Sequence, residues 1–441
     1  MKIVVRESTM VTPAEKTPKI SLWNSNLDLY MPPVHTRFVY YYLPNGAVDF
    51  FDAKVMKDAL SKVLVEFYPV SGRVNKDENG RTGIDCQGQG VLFVEAECDC
   101  VIDDLGEFLP SFEVQKLTST INYALGIKTY PLLVLQVTYF RCGGVSLGVG
   151  MHHYIADGES YVHFVNSWSD MARGHNLTKP PFINRTLLLA QESPQPIFEH
   201  VEYQPTLLKS SHHVVPSSSE PMVSIFKFSR EQLNMLKEKS KDDGNIINCS
   251  SIVLLMSHIW KCVCKALGLS DDRQTNMSIT VNARDRCQPP LPPGYFRNVV
   301  LVTSSLLLAG DIQSKPAWHA ASKIHHSITK MNGDYVKSAI DYLEPQPNLE
   351  TMHSRIATSF GRPNFAITSL VGFPIHDADF GWGRPIFMGP GGAPMEGYAF
   401  LLPSPIKDGS LSIVIWLDNE CMNLFSELLY GIFTSYVASK L

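Results

Sequence analysis

His153 and Asp157 stand four residues apart in Gly148-Val-Gly-Met-His-His-Tyr-Ile-Ala-Asp-Gly158. An imidazole of near-neutral pKa can take a proton from a hydroxyl or an amine, which is general-base chemistry. A carboxylate four residues on can hold a sharp turn together. The plainer reading of the same pair is a satisfied structural histidine beside a turn aspartate. Two other stretches bear on the choice. Asn282-Ala-Arg-Asp-Arg286 directly follows a strand pattern, so Arg284 could reach a turn aspartate from the other half of the chain, or sit in a solvated loop. Asp379-Phe-Gly-Trp-Gly383 has the composition of a tight turn that fixes Trp382. Its role reads as mostly structural, although an indole N–H aimed into a site could donate to a developing oxyanion.

The elements that must position these residues show in the hydrophobic pattern. Apolar runs at 131–140 and 145–149, split by Cys142-Gly143-Gly144, read as a β-hairpin. Beyond Gly158 the period becomes helical, with Tyr161, Phe164, Val165, Trp168, Met171 and Ala172 on one face and Gly174 at the stop. His153 and Asp157 therefore fall where a buried strand ends and a helix begins. Earlier in the chain, 3–11 reads as an edge strand, 34–42 as an aromatic strand, 53–67 as a helix and 72–94 as a β meander. The segments 103–108 and 115–121 stay ambiguous. Proline, serine and histidine crowd between 179 and 221, the composition of a crossover. The second half then repeats the grammar. It reads as a strand at 223–228, a helix at 229–242 capped by Ser229, an apolar helix at 250–267 and a strand at 277–281. A central strand at 297–309, a helix at 317–331 and strands at 365–373 and 411–417 follow. The expectation is an α/β fold in two domains, 1–178 and 223–441, joined by a linker at 179–222.

A chain of 441 residues exceeds one ordinary core. At 44% hydrophobic and 18% charged its composition is that of a soluble globular protein. A net charge of −5 offers no footprint for nucleic acid, and no apolar run reaches the roughly 20 residues that span a bilayer. The nine cysteines form no Cys-x-x-Cys pair and read as reduced thiols. No residues have zinc-ligand spacing, so no metal is expected.

Taken together, His153-x-x-x-Asp157 and Asp379-Phe-Gly-Trp-Gly383, in a chain of this length, resemble the signature of the BAHD family of plant acyl-CoA-dependent acyltransferases. The similarity extends over nearly the whole chain. It is greatest to the hydroxycinnamoyl-CoA:shikimate/quinate branch, through stretches such as Leu22-Trp-Asn-Ser-Asn-Leu-Asp28 and Trp168-Ser-Asp-Met-Ala-Arg-Gly174. The resemblance implies two chloramphenicol-acetyltransferase-like domains with a channel at their interface. It implies His153 as general base, and Asp157 turned away from the channel onto Arg284. Asp379 would support the site, and Trp382 would approach the tetrahedral intermediate. Ser250, Ser251, Thr368 and Ser369 become candidates for contacts to CoA, since helix N-terminal amides and hydroxyls suit phosphates; capping alone would also explain Ser250. His35, Phe38, Tyr40, Tyr154, Ile155, Arg297, Leu370 and Gly372 become the candidate acceptor pocket. The expected partners are an acyl-CoA co-substrate and a small-molecule acceptor, with no cofactor, nucleic acid or membrane, in a monomer.

Departures from the branch concern the acceptor. The branch carries Trp at 370 and, at 372, an Arg that binds the acceptor's carboxylate; here stand Leu370 and Gly372. Phe38, Tyr154, Ile155, Arg37 and Arg297 are also unusual at their positions. The first expectation is an acceptor other than shikimate or quinate; the second is that Arg37 or Arg297 supplies a relocated carboxylate handle. An ordinary shikimate/quinate enzyme with an altered pocket is the alternative, and a fold turned to lyase or binding work is the third reading. The chain ends in Ser439-Lys440-Leu441, the tripeptide read as a peroxisomal import address, which implies an import receptor as partner. The cytoplasm is the alternative location. Peroxisomes shorten cinnamoyl-CoA to benzoyl-CoA, so benzoyl joins hydroxycinnamoyl as an expected donor group.

Overall fold

The aromatic run near residue 40 becomes β3 (His35–Tyr42), an interior strand of a six-stranded sheet. The sheet runs β1 (Ile3–Val11), β6 (Val91–Cys98), β7 (Leu133–Phe140), β8 (Val145–His152), β3 and β14 (Phe387–Pro390), with strands numbered in chain order. The computed structural model describes residues 1–204, 221–244, 247–350, 352, 361–392 and 396–440, with side chains left aside at 435 and 437–440. The expected hairpin is β7 and β8, antiparallel with Leu133 opposite Met151. All eight residues of β8 are buried, so His152 and the turn after it start from a rigid strand. Gly148 is required there: a Cβ would stand 2.0 Å from the carbonyl oxygen of Leu117.

The motif helix, Gly158–Ala172, packs against the helix Ala53–Glu66. Trp168 anchors the contact. Its indole N–H donates to Met56 O at 3.0 Å, and its ring meets Phe380 edge-on at 4.8 Å. Burying a side chain of that size stabilises by roughly 3 kcal/mol. Phe67, Phe164 and Phe296 continue the same core, which takes residues from both halves of the chain.

The second sheet runs β11 (Val300–Val302), β10 (Gln274–Asn282), β13 (Phe365–Ser369), β15 (Tyr398–Pro403), β16 (Leu411–Leu417) and β9 (Met222–Phe228). β12 (Ser305–Leu308) also pairs with β10. The capped helix Arg230–Asp242 and the apolar helix Ser251–Ala266 lie where the periodicity puts them, and Ser229 and Ser250 are their N-caps. The helix expected at 317–331 is Ala317–Lys330.

Three expectations need correction. The meander at 72–94 divides: β4 (Arg73–Lys76) and β5 (Thr82–Cys86) join β2 (Ile20–Trp23) in a separate three-stranded sheet, while β6 enters the first sheet. The central strand at 297–309 is two short strands, β11 and β12, on one edge of β10. Residues 297–299 never enter the sheet, because their backbone N–H groups are taken by Ser160, Asp28 and Asp157. The strand expected at 365–373 ends at Ser369, and the chain turns there through Gly372 at φ +94°. The helices Gly333–Leu343 and Asn419–Lys440 and the strands β14 and β15 were not anticipated.

Strand β14 belongs by sequence to the second half and pairs antiparallel with β3 of the first, Met388 opposite Tyr40. The 376–390 segment is thus carried across to the first sheet, and Tyr42 Oη donates to Ala378 O at 2.8 Å on the way. The start of the crossover docks on the helix Gly333–Leu343. There Asp341 accepts from Gln191 N at 2.9 Å, and Ser338 Oγ accepts from Ile197 N at 2.9 Å. The rest of the proposed linker, 205–220, lies outside the described residues. Among the described residues no helix is long and apolar enough to cross a membrane, and no group of three or more His, Cys, Asp or Glu could hold a metal ion.

Candidate active site

Asp157 is the N-cap of the motif helix: its Oδ1 accepts from Ser160 N at 3.0 Å, the bond that favours Asp at this position. Arg284, in the turn after β10, closes on the same carboxylate with two parallel bonds, Nη1 to Oδ2 at 2.7 Å and Nη2 to Oδ1 at 2.9 Å. Val299 N adds a fourth donor to the carboxylate, at 2.9 Å from Oδ2. The pair is buried, Asp157 at 2% and Arg284 at 5% exposure. Arg284 satisfies its other N–H groups on Tyr295 O, Ser160 Oγ, Asn282 Oδ1 and Arg297 O. Burial alone would raise the Asp157 carboxyl, but the facing guanidinium outweighs it and holds the group below its ordinary range. Burial likewise works to lower Arg284, and the Asp157 charge outweighs it, so Arg284 is raised.

His153 follows β8 in a turn held by its N–H to Val34 O at 2.9 Å. Its Nδ1 stands 3.2 Å from Asn298 Oδ1. The orientation of that amide follows from its other bonds. Asn298 Nδ2 donates to Asp28 Oδ1 at 2.8 Å and to His153 O at 2.7 Å, so its oxygen must face the imidazole. An acceptor opposite Nδ1 places the ring proton on Nδ1 and leaves Nε2 with its lone pair. Burial lowers the pKa of His153, while Asp157, Asn298 and Asp28 pull the other way. The ring is therefore neutral near pH 7 and basic at Nε2, the state a general base requires.

Sequence reasoning missed Asn298 and Asp28. A signal existed for Asp28. Ser25-x-x-Asp28 has capping-box spacing, and Ser25 N donates to Asp28 Oδ2 at 3.0 Å while Asp28 N donates to Ser25 Oγ at 3.2 Å. Asn298 carries no comparable pattern; only the approach of the loop after Phe296 to the His153 turn reveals it.

The remaining candidates fall into three groups. Asp379 forms the tight turn expected of it, its Oδ1 accepting from Gly381 N at 2.8 Å and Gly383 N at 3.0 Å. Trp382, expected to approach the tetrahedral intermediate, is placed against the Asp49–Phe51 bend. Its indole N–H is directed to Asp49 Oδ1 at 3.3 Å, its ring lies against Phe51 at 5.2 Å, and no hydrogen bond or ring contact joins it to His153. These contacts belong to the core of the first domain, in keeping with the structural reading of its loop.

Ser250 accepts from Val253 N at 3.2 Å as a cap. Ser251 lines a cleft of about 430 Å³ together with Val371, Gly372, His376 and Lys407. Thr368 bonds Tyr398 Oη at 2.6 Å and Ser369 Oγ accepts from Val371 N at 3.3 Å, so neither stands in that cleft.

Among the pocket candidates, most are interior. Phe38 packs on Tyr161 and Phe400, and Tyr40 bonds Tyr161. Leu370 closes on the start of the motif helix beside Gly158. His35 bonds Pro131 O at 2.8 Å and Tyr123 Oη at 3.0 Å, and burial takes its pKa down to about 4. Tyr154 and Ile155 are fully buried. Arg297, expected as a relocated carboxylate handle, is 1% exposed, with Nη2 on Asn24 Oδ1 at 2.6 Å and Nη1 on Tyr154 O at 3.3 Å. That expectation is corrected: the guanidinium is turned inward toward Asp28, behind His153. Gly372 is exposed and open, with nothing within 4 Å of a Cβ placed there.

A model of the Transferase family matches residues 1–430. The chain is 57% identical over 434 residues to the shikimate O-hydroxycinnamoyltransferase of Nicotiana tabacum, covering 98% of this chain and 100% of that one. It is 48% identical over 444 residues to a hydroxycinnamoyl-CoA:5-hydroxyanthranilate N-hydroxycinnamoyltransferase of Avena sativa, covering 97% and 99% of the two chains. The fold is shared with the crystal structure of vinorine synthase, with a TM-score of 0.72 at 22% identity, covering 98% of each chain.

Asp157→Asn leaves the Arg284 charge buried without a carboxylate and is expected to cost about 3–5 kcal/mol. The folded pKa of Asp157 lies below its unfolded value, so the pair contributes fully above about pH 4 and its contribution falls away as pH drops through the lowered folded pKa. Urea midpoints of wild type and variant should differ at pH 7 and converge in acid; a gap unchanged down to about pH 2 excludes the account. Asn298→Leu keeps the size and removes the acceptor facing Nδ1. Turnover should fall about 10–100-fold, with an altered pH profile of kcat/KM, in a folded protein. A folded variant with wild-type turnover and pH profile contradicts the tautomer assignment.

Proposed function

This chain belongs to the BAHD transferase family, and we propose that it moves an aromatic acyl group from a CoA thioester to a hydroxyl or amine of a small metabolite, with His153 as general base. The observation that carries the role of His153 is the amide of Asn298, whose bonds to Asp28 and to His153 O leave Nε2 as the free base. Nε2 takes the acceptor's proton as its oxygen or nitrogen attacks the thioester carbonyl. The tetrahedral adduct then collapses, the C–S bond breaks, and the departing CoA sulfur recovers the proton from the imidazolium. Asp157 and Arg284 take no part in proton transfer; they join the motif helix to the loop that presents Asn298.

The Nicotiana relative is named for an oxygen acceptor and the Avena relative for a nitrogen acceptor, so hydroxycinnamoyl transfer is the donor chemistry they share. Benzoyl remains the second donor. The acceptor we favour lacks the carboxylate clamp of shikimate and quinate. In support, position 372 offers an open glycine, and Arg297 is turned inward. A shikimate ester is the second reading, supported by the 57% identity to the Nicotiana relative. CoA would lie along the side of the second domain where Ser251 and Lys407 share a cleft.

Purified protein incubated with coumaroyl-CoA or benzoyl-CoA and acceptor pools should release thiol only when an acceptor is present. His153→Ala should lower that rate about 10²–10⁴-fold. Acceptor-independent release, or none with any pool, refutes transfer and leaves lyase or binding work; efficient shikimate ester formation refutes the acceptor assignment alone. We further propose peroxisomal import through Ser439-Lys440-Leu441. A fluorescent protein carrying residues 432–441 should collect in peroxisomes and disperse on loss of Leu441; a diffuse signal from both rejects the proposal.

A further inference from the structure

Behind His153, three guanidinium groups converge on one asparagine. Arg81 donates through Nε and Nη2 to Asn24 O, at 3.2 and 2.9 Å. Arg185 Nη1 donates to Asn24 Oδ1 at 3.1 Å, and Arg297 Nη2 donates to the same oxygen at 2.6 Å. Arg185 and Arg297 are 5% and 1% exposed. Two buried cations thus share Asn24 Oδ1, and their other satisfied N–H groups, Arg185 Nη1 on Trp23 O and Arg297 Nη1 on Tyr154 O, also meet neutral carbonyls.

Anions are scarce around them. Asp28 is the one buried counter-charge, paired with Arg297 at 3.5 Å from Nε but without a hydrogen bond there, its oxygens accepting from Ser25 and Asn298; that leaves the charge of Arg185 unbalanced. Glu344 is bonded by Asn26 at the rim, on the side of Arg81. Cys86 and Tyr68 adjoin Arg297, and burial raises both, Cys86 to about 12, so neither supplies charge at neutral pH. Among the described residues no carboxylate lies within 4 Å of Arg185. Four donor sites in this one place have no hydrogen-bond acceptor: Arg185 Nε and Nη2, Arg297 Nε and Asn24 Nδ2. Buried charge without a counter-charge is among the costliest arrangements in a protein interior, and buried N–H groups almost always find an acceptor.

We propose that Arg185, Arg297 and Asn24 form a buried binding site for a small monoanion of halide size. A donor-only set calls for an acceptor that carries negative charge, and one such ion meets both needs. A monatomic ion fits better than an acceptor carboxylate, because Asn24, Arg185 and Arg297 are 0%, 5% and 1% exposed. Sulfate is disfavoured by size and by the cost of burying a second charge. The ion would act on stability, since it binds the folded chain and finds no such cluster in the unfolded one.

The test uses the full-length protein in chloride and in gluconate at constant ionic strength. Chloride should stabilise saturably. At ten times its half-saturating concentration the unfolding equilibrium constant should fall about elevenfold, with bromide acting alike and sulfate weakly. Crystals grown in bromide should show an anomalous peak within hydrogen-bonding reach of Arg185 Nε. Arg185→Gln removes one of the two cations; if it folds, the halide dependence should vanish and its stability in gluconate should equal or exceed that of the wild type. Should it not fold, the wild-type titration and the bromide map decide alone. Equal stability in chloride and gluconate, or a water without anomalous signal beside Arg185, overturns the site.

Discussion

The arrangement depends on one buried ion pair. Asp157 is at once the N-cap of the motif helix and the counter-charge of Arg284, so a residue in the turn of the first domain's strand-turn-helix also binds the second domain. A pair buried this deeply is stabilising only when every lone pair and N–H is met. Here Ser160, Val299, Tyr295, Asn282 and Arg297 meet them. The aspartate does not touch the reacting atoms. It holds the two surfaces whose meeting creates the base.

That requirement explains the broken strand at 297–309. A continuous strand would direct alternate backbone N–H groups of 297–299 along β10. All three are directed instead to Ser160, Asp28 and Asp157, and regular pairing starts only at Val300. The apolar pattern of the segment is that of a strand, and local propensity is outweighed by three hydrogen bonds to buried polar groups. The distortion delivers Asn298 to His153. The return of β14 to the first sheet is a second tie of the same kind, since Phe387–Pro390 pairs with β3 while its flanking residues supply the Asp379 turn.

Buried polar residues were the hardest to assign. Arg297, Trp382 and His35 each have the chemistry of a ligand-binding group, and each is engaged inside the protein: Arg297 on Asn24, Trp382 on Asp49, His35 on Tyr123 and Pro131. A side chain's type states what it can bond, whereas its partner depends on which distant segment lies opposite. The pairing of Arg284 with Asp157, 127 positions apart, was legible through the resemblance to the family, since the residues alone left Arg284 open between a turn aspartate and a solvated loop. The triad of His153, Asn298 and Asp28 spans 270 positions and includes an asparagine in no motif.

The sequence alone determined the α/β class, the hairpin and helix that flank His153 and the capped helices of the second half, while the candidate base and its aspartate came from the resemblance carried by two distant motifs. The elements follow from short-range rules, since periodicity, caps and glycine turns act within a few residues. The tertiary structure alone decided which nitrogen of His153 is free, why 297–299 leaves its sheet, that the Trp382 N–H meets Asp49, and that guanidinium groups gather on Asn24. Each of these depends on hydrogen-bond partners tens to hundreds of residues apart. No local pattern encodes such a partner, because a donor buried by one segment is satisfied by whichever segment the fold brings opposite.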